Sequence, residues 1–342
     1  MRRRTLPGLL LPFALLVTAC GGATSANTAG NTDGKGGVVL DIGDQRGGYE
    51  AILRASGELD DLDYRITWST FTSGPPLLEA VSARAVDLGG VGNTPPVFAA
   101  GSDSKIVVVG ATHGSSAGEA IVVPEDSPLK KPAQLKGRSI AVAQGSSAHY
   151  QLVASLKKAG LRISDVKLNY LQPADALAAF SRGKVDAWAI WDPYTSQILR
   201  TARARVLTTG EGVVNGLGFQ VASPAALRDE KKSRAIGDLL VRLQRAQKWV
   251  FAHPEAWAKV WAKETGMPYE VALDAVKLTY GTRVPVAVDA AAVASEQQIA
   301  DTFAELGLIP RRFSFKDYVD TRFNRDLPAS SAAPRSYGKA SS

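Results

Sequence analysis

The sequence is poor in the residues that most metal and redox chemistry requires. It has a single cysteine in 342 residues, so neither an intramolecular disulfide nor a multi-thiolate metal site can form within the chain. Three histidines leave little material for a histidine cluster. These shortages argue against zinc hydrolases, iron–sulfur proteins and thiol redox enzymes, and no metal or cofactor is expected. Beyond the first twenty residues, no apolar run is long enough to span a bilayer. No basic run interleaved with aromatics is present, which makes nucleic acid a poor partner. The Lys-Ser/Thr ending of a phosphate-binding loop, the three-glycine dinucleotide fingerprint and the Gly-x-Ser-x-Gly elbow of serine hydrolases are all missing. What remains is a chain that is 45% hydrophobic and 21% charged, able to build a sizeable core and long enough for two domains or two lobes.

Arg2, Arg3 and Arg4 precede an apolar stretch over 6–19 that ends in Val17-Thr18-Ala19-Cys20. A basic segment, a short apolar segment and small residues before the break make a secretory leader over 1–19. The tetrapeptide looks like a bacterial lipoprotein signal, in which the Cys20 thiol takes the lipid. An ordinary secretory signal with an incidental cysteine is the alternative. Residues 20–37 are rich in Gly, Ala, Ser, Thr and Asn and read as a flexible tether. The formal charge of +7 falls to +4 once the three leader arginines are removed. The small, polar and basic segment 328–342 reads as a frayed tail.

Between these ends, strand-like and helix-like segments alternate, which predicts an α/β architecture. Strands are expected over 38–43, 64–68, 86–88, 105–111, 119–123, 139–143, 166–171, 185–190, 205–208 and 219–222. Helices are expected between them and through most of the chain after 226. Leu78-Glu79-Ala80-Val81-Ser82-Ala83-Arg84-Ala85-Val86-Asp87 is echoed by Leu177-Ala178-Ala179-Phe180-Ser181-Arg182-Gly183-Lys184-Val185-Asp186, and at the same offset Asn93 aligns with Asp192. The echo suggests two similarly built lobes whose helix N-termini face one another across a cleft. Four helix starts follow strands at 45–48, 92–96, 144–150 and 191–194. Their unpaired N–H groups suit an anion without any catalytic residue.

At these residues the chain resembles the extracytoplasmic solute-binding proteins of ABC importers, in the aliphatic sulfonate, nitrate and taurine branch. The matching stretches are Gly43-Asp44-Gln45-Arg46-Gly47-Gly48, Trp68-Ser69-Thr70-Phe71-Thr72-Ser73-Gly74-Pro75, Gly92-Asn93-Thr94-Pro95-Pro96-Val97-Phe98, a crossing segment over 128–136, and Asp186-Ala187-Trp188 leading to Trp191-Asp192-Pro193-Tyr194. The resemblance implies a type II periplasmic-binding-protein fold, with two α/β lobes joined by a two-strand hinge and a ligand cleft between them. Lobe 1 would comprise 38–125 and 216–327, and lobe 2 would comprise 126–215. It also implies ligand contacts at Gln45, Gly47, Thr94, Ser115, Ser146, Ser147, His149, Trp191 and Asp192. Thr94, Ser146 and Ser147 would meet sulfonate oxygens, and Trp191 with Phe71 would meet the organic tail. Asp192 suits helix capping and cleft closure better than contact with an anion. Arg46 is either an anion clamp or solvent-facing, and His149 either a pocket wall or a surface helix residue. Trp249, Trp257 and Trp261, at helical spacing, read as packing residues. The function implied is capture of a small organic anion, an alkanesulfonate first and taurine or nitrate next, for a membrane permease and its ATPase. The protein would be a monomer anchored by lipid at the outer face of the cell membrane or lying in the periplasm. An enzyme or a structural surface lipoprotein are the readings from other classes.

Overall fold

The computed structural model describes residues 37–325. The leader, Cys20, all but the last residue of the tether and the 328–342 tail lie outside them. Chain order begins β1 (Val39–Gln45), α1 (Gly48–Ala55), β2 (Arg65–Phe71), α2 (Gly74–Ser82), β3 (Leu88–Gly92), α3 (Thr94–Gly101) and β4 (Val107–His113). The chain then crosses to a second sheet through β5 (Ala120–Pro124), β6 (Ser139–Val142), α4 (Ser147–Lys158), β7 (Lys167–Tyr170), α5 (Pro173–Ser181), β8 (Ala187–Ile190), α6 (Tyr194–Thr201) and β9 (Ala204–Thr209). It returns through β10 (Leu217–Ala222) to α7 (Pro224–Arg228), α8 (Glu230–Ala252), α9 (Pro254–Thr265), α10 (Tyr269–Leu278), β11 (Val284–Val286) and α11 (Ala290–Glu305).

The first sheet has strand order β11-β4-β10-β3-β1-β2 and the second β7-β6-β8-β5-β9. In each, a parallel trio (β2-β1-β3 and β7-β6-β8) is extended by antiparallel strands. The sequence echo falls on equivalent elements, α2 into β3 and α5 into β8. Its aspartates repeat one structural task. The Asp87 carboxylate accepts the Asp41 N–H at 3.0 Å, and the Asp186 carboxylate accepts the Ser139 N–H at 2.8 Å, each pinning the start of the neighbouring central strand.

Two segments, 114–119 and 210–216, connect the sheets and bond to one another. The Gly114 N–H donates to Gly216 O at 3.1 Å and the Gly210 N–H to Glu119 O at 2.7 Å. The first crossing therefore precedes β5 instead of following residue 125. Ile121 and Val123 pack in one face of the second sheet's core and Ala120 and Val122 in the other, all fully buried. The proline-flanked stretch at 128–136, expected to cross, is a loop and a short 3-10 turn (Pro132–Leu135) inside that second half.

The helices after β10 thicken the first lobe. Leu239, Leu240 and Val250 of α8, with Trp257 and Trp261 of α9, pack on α1 and on the Leu40, Ile42 and Ile66 face of the sheet. Trp257 and Trp261 stack at 5.1 Å. Among the described residues, no helix is long and apolar enough to cross a membrane.

Candidate functional site

A cavity of about 120 Å³ opens where the strand ends of both sheets converge. That is small beside the ~300–1,000 Å³ of pockets for drug-sized ligands. Gln45, Ser115, Ser146, Ser147, Trp191 and Asp192 of the sequence-derived set line it. Gly47, Thr94 and His149 do not.

The four helix starts differ in who occupies them. At α1, the buried Asp44 carboxylate accepts the N–H groups of Gln45 (2.7 Å), Tyr49 (2.9 Å) and Glu50 (3.0 Å). Burial pushes its pKa up to about 6 against the pull of these donors. Gly47, in front of this helix, is glycine for its backbone: φ is +67°, and a Cβ there would face Thr265 on α9. The Gln45 side-chain amide donates to Gly90 O at 2.8 Å. At α6, the Asp192 carboxylate accepts the Ser196 N–H (3.0 Å) and hydroxyl (2.7 Å), and on its other oxygen the Thr279 hydroxyl from the first lobe (2.9 Å). Asp192 thus caps a helix and clasps the lobes together. Gly118 of the crossing segment passes so close that a Cβ would lie 2.1 Å from Asp192 Oδ2.

At α3, Pro95 and Pro96 remove two of the N–H groups a helix start normally offers, and the Thr94 hydroxyl donates to the Asn93 side chain at 2.9 Å. Thr94 is fully buried behind the cavity wall, with its hydroxyl turned to Asn93 instead of into the cavity. At α4, the Ser146 hydroxyl donates to Ala143 O (2.7 Å) and accepts the His149 N–H (3.3 Å). The Ser147 and Ala148 N–H groups have no acceptor among the described residues. Of the four, α4 offers two such donors, and at α1 the Gly48 N–H, which also lines the cavity, likewise has no acceptor among the described residues. It meets the first lobe directly: a Cβ on Gly92 would come within 3.0 Å of Ser147 Cβ.

His149 lies in the apolar contact between lobes, not in the cavity. Its ring is fully buried against Phe98 and Phe303 of the first lobe (centroids 5.8 and 5.2 Å) and Tyr170 (5.5 Å). Burial pushes its pKa down to about 4. Arg46 likewise serves the lobe contact, with its guanidinium 4.8 Å from the Tyr194 ring centroid. Phe71 packs in the first lobe's core, away from the cavity.

Two charged residues that the sequence reading did not select stand in the wall. Arg283, just before β11, lines the cavity and has no carboxylate within ion-pair distance among the described residues. Its guanidinium lies 4.6 Å from the Tyr280 ring centroid. Glu119, in the crossing segment, is half-buried with its carboxyl next to the Ser147 hydroxyl, and its buried Oε2 has no partner. Burial pushes its pKa up to about 7, while Arg283 and Ser147 pull it down. The wall therefore offers an unpaired cation, a helix start with open N–H groups, serine hydroxyls and an acid poised near neutrality. Apart from the acid, these are groups suited to hold and orient an anion. Among the described residues no cluster of metal-ligating side chains occurs, and no histidine or cysteine lines the cavity.

A family model described as NMT1/THI5 like matches residues 74–257, more than half of the chain. The alkanesulfonate-binding protein SsuA from Xanthomonas axonopodis pv. citri, solved bound to MOPS, is 33% identical with a TM-score of 0.76, covering 83% of this chain and 99% of that one. The periplasmic aliphatic sulphonate binding protein SsuA from Escherichia coli is 35% identical with a TM-score of 0.73, covering 82% of this chain and 92% of its own. The taurine-binding periplasmic protein of Escherichia coli is 29% identical over 57% of this chain and 60% of its own. The chain belongs to the NMT1/THI5-like family and has the two-lobed fold of these binding proteins.

Proposed function

We propose that the protein is the extracytoplasmic solute-binding component of an ABC importer, capturing aliphatic sulfonates unchanged and delivering them to a membrane permease. The observation that carries this reading is the pairing, in one wall, of an unpaired Arg283 with the open N-terminus of α4. A sulfonate presents three oxygens and one charge to exactly such donors without needing a nucleophile or a metal. Likeness over most of the chain to two alkanesulfonate-binding proteins supports it. The Asp192–Thr279 clasp and the Arg200–Asp274 pair between α6 and α10 belong to the closed form in this reading. Release would require them to part. The leader over 1–19 would direct export, and Cys20 would carry a lipid that holds a monomeric carrier at the outer face of the membrane.

An aminosulfonate such as taurine is the second reading, favoured by the unpartnered Glu119 Oε2, which suits an ammonium group. Calorimetric titration with methanesulfonate, longer alkanesulfonates, taurine, sulfate and nitrate, with mass spectrometry of the mixtures, tests both. One-to-one binding of alkanesulfonates without new products is expected. Turnover, or binding of nitrate or sulfate but of no sulfonate, would overturn the assignment.

A further inference from the structure

The two lobes share a plan but not a charge. Segment 120–209 holds 13 Lys and Arg against 6 Asp and Glu, a net charge of +7. Segments 37–119 and 210–325 together hold 21 against 25, a net charge of −4. The excess of the second lobe gathers at the end opposite the cleft, where its parallel strands begin. Lys136 and Arg138 precede β6, Arg162 and Lys167 stand at the entry to β7, and Arg182 and Lys184 lead into β8. The Lys167 N–H donates to Arg138 O and the Asp186 N–H to Ser139 O, each at 2.8 Å, so these entries share one edge. Helix α4 runs back to the same edge and ends in Lys157 and Lys158. Leu135 packs with Leu156 and Val166, which brings Lys130 and Lys131 alongside. All ten basic residues are exposed. Only Arg138, with Asp186, and Arg162, with Asp165, have a carboxylate within ion-pair distance among the described residues.

Helix dipoles do not account for this excess. Lysines in the last turn of α4 complement its carbonyl end, but that field fades within a turn, and most of the charges lie in the connections. The first lobe supplies the control. Its α1-to-β2 connection, equivalent to α4-to-β7, carries exposed Asp60, Asp61 and Asp63. The same architecture thus tolerates either sign there. We propose that the basic end of the second lobe is a docking face for an anionic phospholipid surface, turning this lobe toward the membrane and the acidic lobe away. The charges come from three separate connections, which suits an extended array of headgroups better than a single anion. The proposal rests on the extracytoplasmic reading: a carrier held by a lipid on Cys20 stays within reach of the bilayer, where even weak attraction is effective. Each Lys or Arg brought to such a surface tightens attachment about fivefold, less as salt screens it.

The test is vesicle flotation of the chain over 20–342 carrying Cys20→Ser, which keeps the whole described fold and removes both leader and lipid site. The vesicles are phosphatidylcholine alone or with roughly one-third phosphatidylglycerol. Binding is expected only to the anionic vesicles and should disappear at high salt. Lys130→Glu, Lys131→Glu, Lys157→Glu and Lys158→Glu in one chain should weaken it at least about tenfold. The corresponding Gln set, which removes charge without reversing it, should show a smaller loss and covers the case in which the Glu set does not fold. Lys248→Glu, Lys259→Glu, Lys263→Glu and Lys277→Glu, at exposed positions of the first lobe, change the net charge equally and should alter binding by less than about twofold. Equal losses from the two Glu sets would overturn the docking face, because net charge alone would then drive attachment. So would absence of binding to anionic vesicles at low salt, or equal binding to neutral ones. Recovery of the unaltered protein from the cytoplasm with residues 1–19 attached would instead overturn the export reading, whatever the vesicles show.

Discussion

Around the cleft, α1 pairs by topology with α4, and α3 with α6. In each pair one helix start is closed by an acid of the protein and the other is not. Asp44 occupies α1 and Asp192 occupies α6, each with its carboxylate on the N–H groups of its own helix. Their counterparts are serine-capped α4 and Asn93-led α3. The acid-capped starts lie on the side where Arg46 of the first lobe reaches Tyr194 of the second, and the others meet where Gly92 abuts Ser147. The difference teaches that a helix N-terminus at a strand end is not by itself an anion site. A resident carboxylate satisfies the same donors and repels a second negative charge. A start without a resident acid keeps more of its donors for a solute, and in this site reading α4, with Arg283 in the same wall, is that start.

The largest break in this comparison comes from removing the cation. Arg283→Ala should weaken alkanesulfonate binding at least about 100-fold, roughly 3 kcal/mol, because a desolvated anion would lose its charged partner. Arg283→Lys should recover part of the loss, since an ammonium keeps the charge without the planar fork. Calorimetry decides it, and a loss below fivefold would mean that the helix start binds unaided. A smaller effect separates the two kinds of cap by stability. Asp44→Ala strands two N–H groups at a buried helix start and one at the end of β1 and should cost about 2 kcal/mol, whereas Ser146→Ala loses a single weak cap and should cost about 1 kcal/mol. Equal or reversed losses in chemical denaturation would remove the distinction.

Much of the architecture was legible because it rests on local signals. The Val-Asp echo marked equivalent helix-to-strand units, and glycine and proline marked the helix starts, so the elements and the two-lobe plan follow from pattern. Six of the nine nominated contacts line the cavity for the same reason: they sit at strand ends, where the pattern points. What failed needed distances that no local pattern contains. Thr94 and His149 stand at helix starts, but their side chains turn into the interior and the lobe contact, toward Asn93 and toward Phe303 from α11. Gly47 answers a turn requirement that looks, in sequence, the same as close approach to an anion. Arg283 was passed over because it lies far down the chain in a connection with no echo in the other lobe. The pairing of β11 with β4 brings it back to the cleft. The first crossing was misplaced because β5 reads as one more apolar strand, and only its pairing with β8 and β9 assigns it to the second sheet.

The finest test concerns the one acid that does reach the open start. Glu119 lies beside Ser147 at the head of α4, with a pKa pushed up to about 7, so near neutrality it is part protonated and part ionised. An anion bound at the same helix head favours the protonated carboxyl and raises its pKa further. Below about pH 6 the carboxyl is already neutral, no proton is taken up on binding, and affinity for an alkanesulfonate should be flat. Above about pH 7 each binding event must draw up to one proton, so affinity should fall with rising pH, by at most about tenfold per pH unit. Glu119→Gln keeps the shape and removes the proton, and its profile should be flat above about pH 7, where Asp44, pushed up to about 6, is already ionised. For an aminosulfonate the sign reverses, because the ionised carboxylate then faces an ammonium, and affinity should rise through the same window. Titrations between pH 5.5 and 8.5 in buffers of different ionisation heat measure the proton directly. A slope that persists in Glu119→Gln would place the titrating group elsewhere. A flat unaltered profile would mean that Glu119 stays in one charge state and that Arg283 alone distinguishes the open helix start from the acid-capped ones.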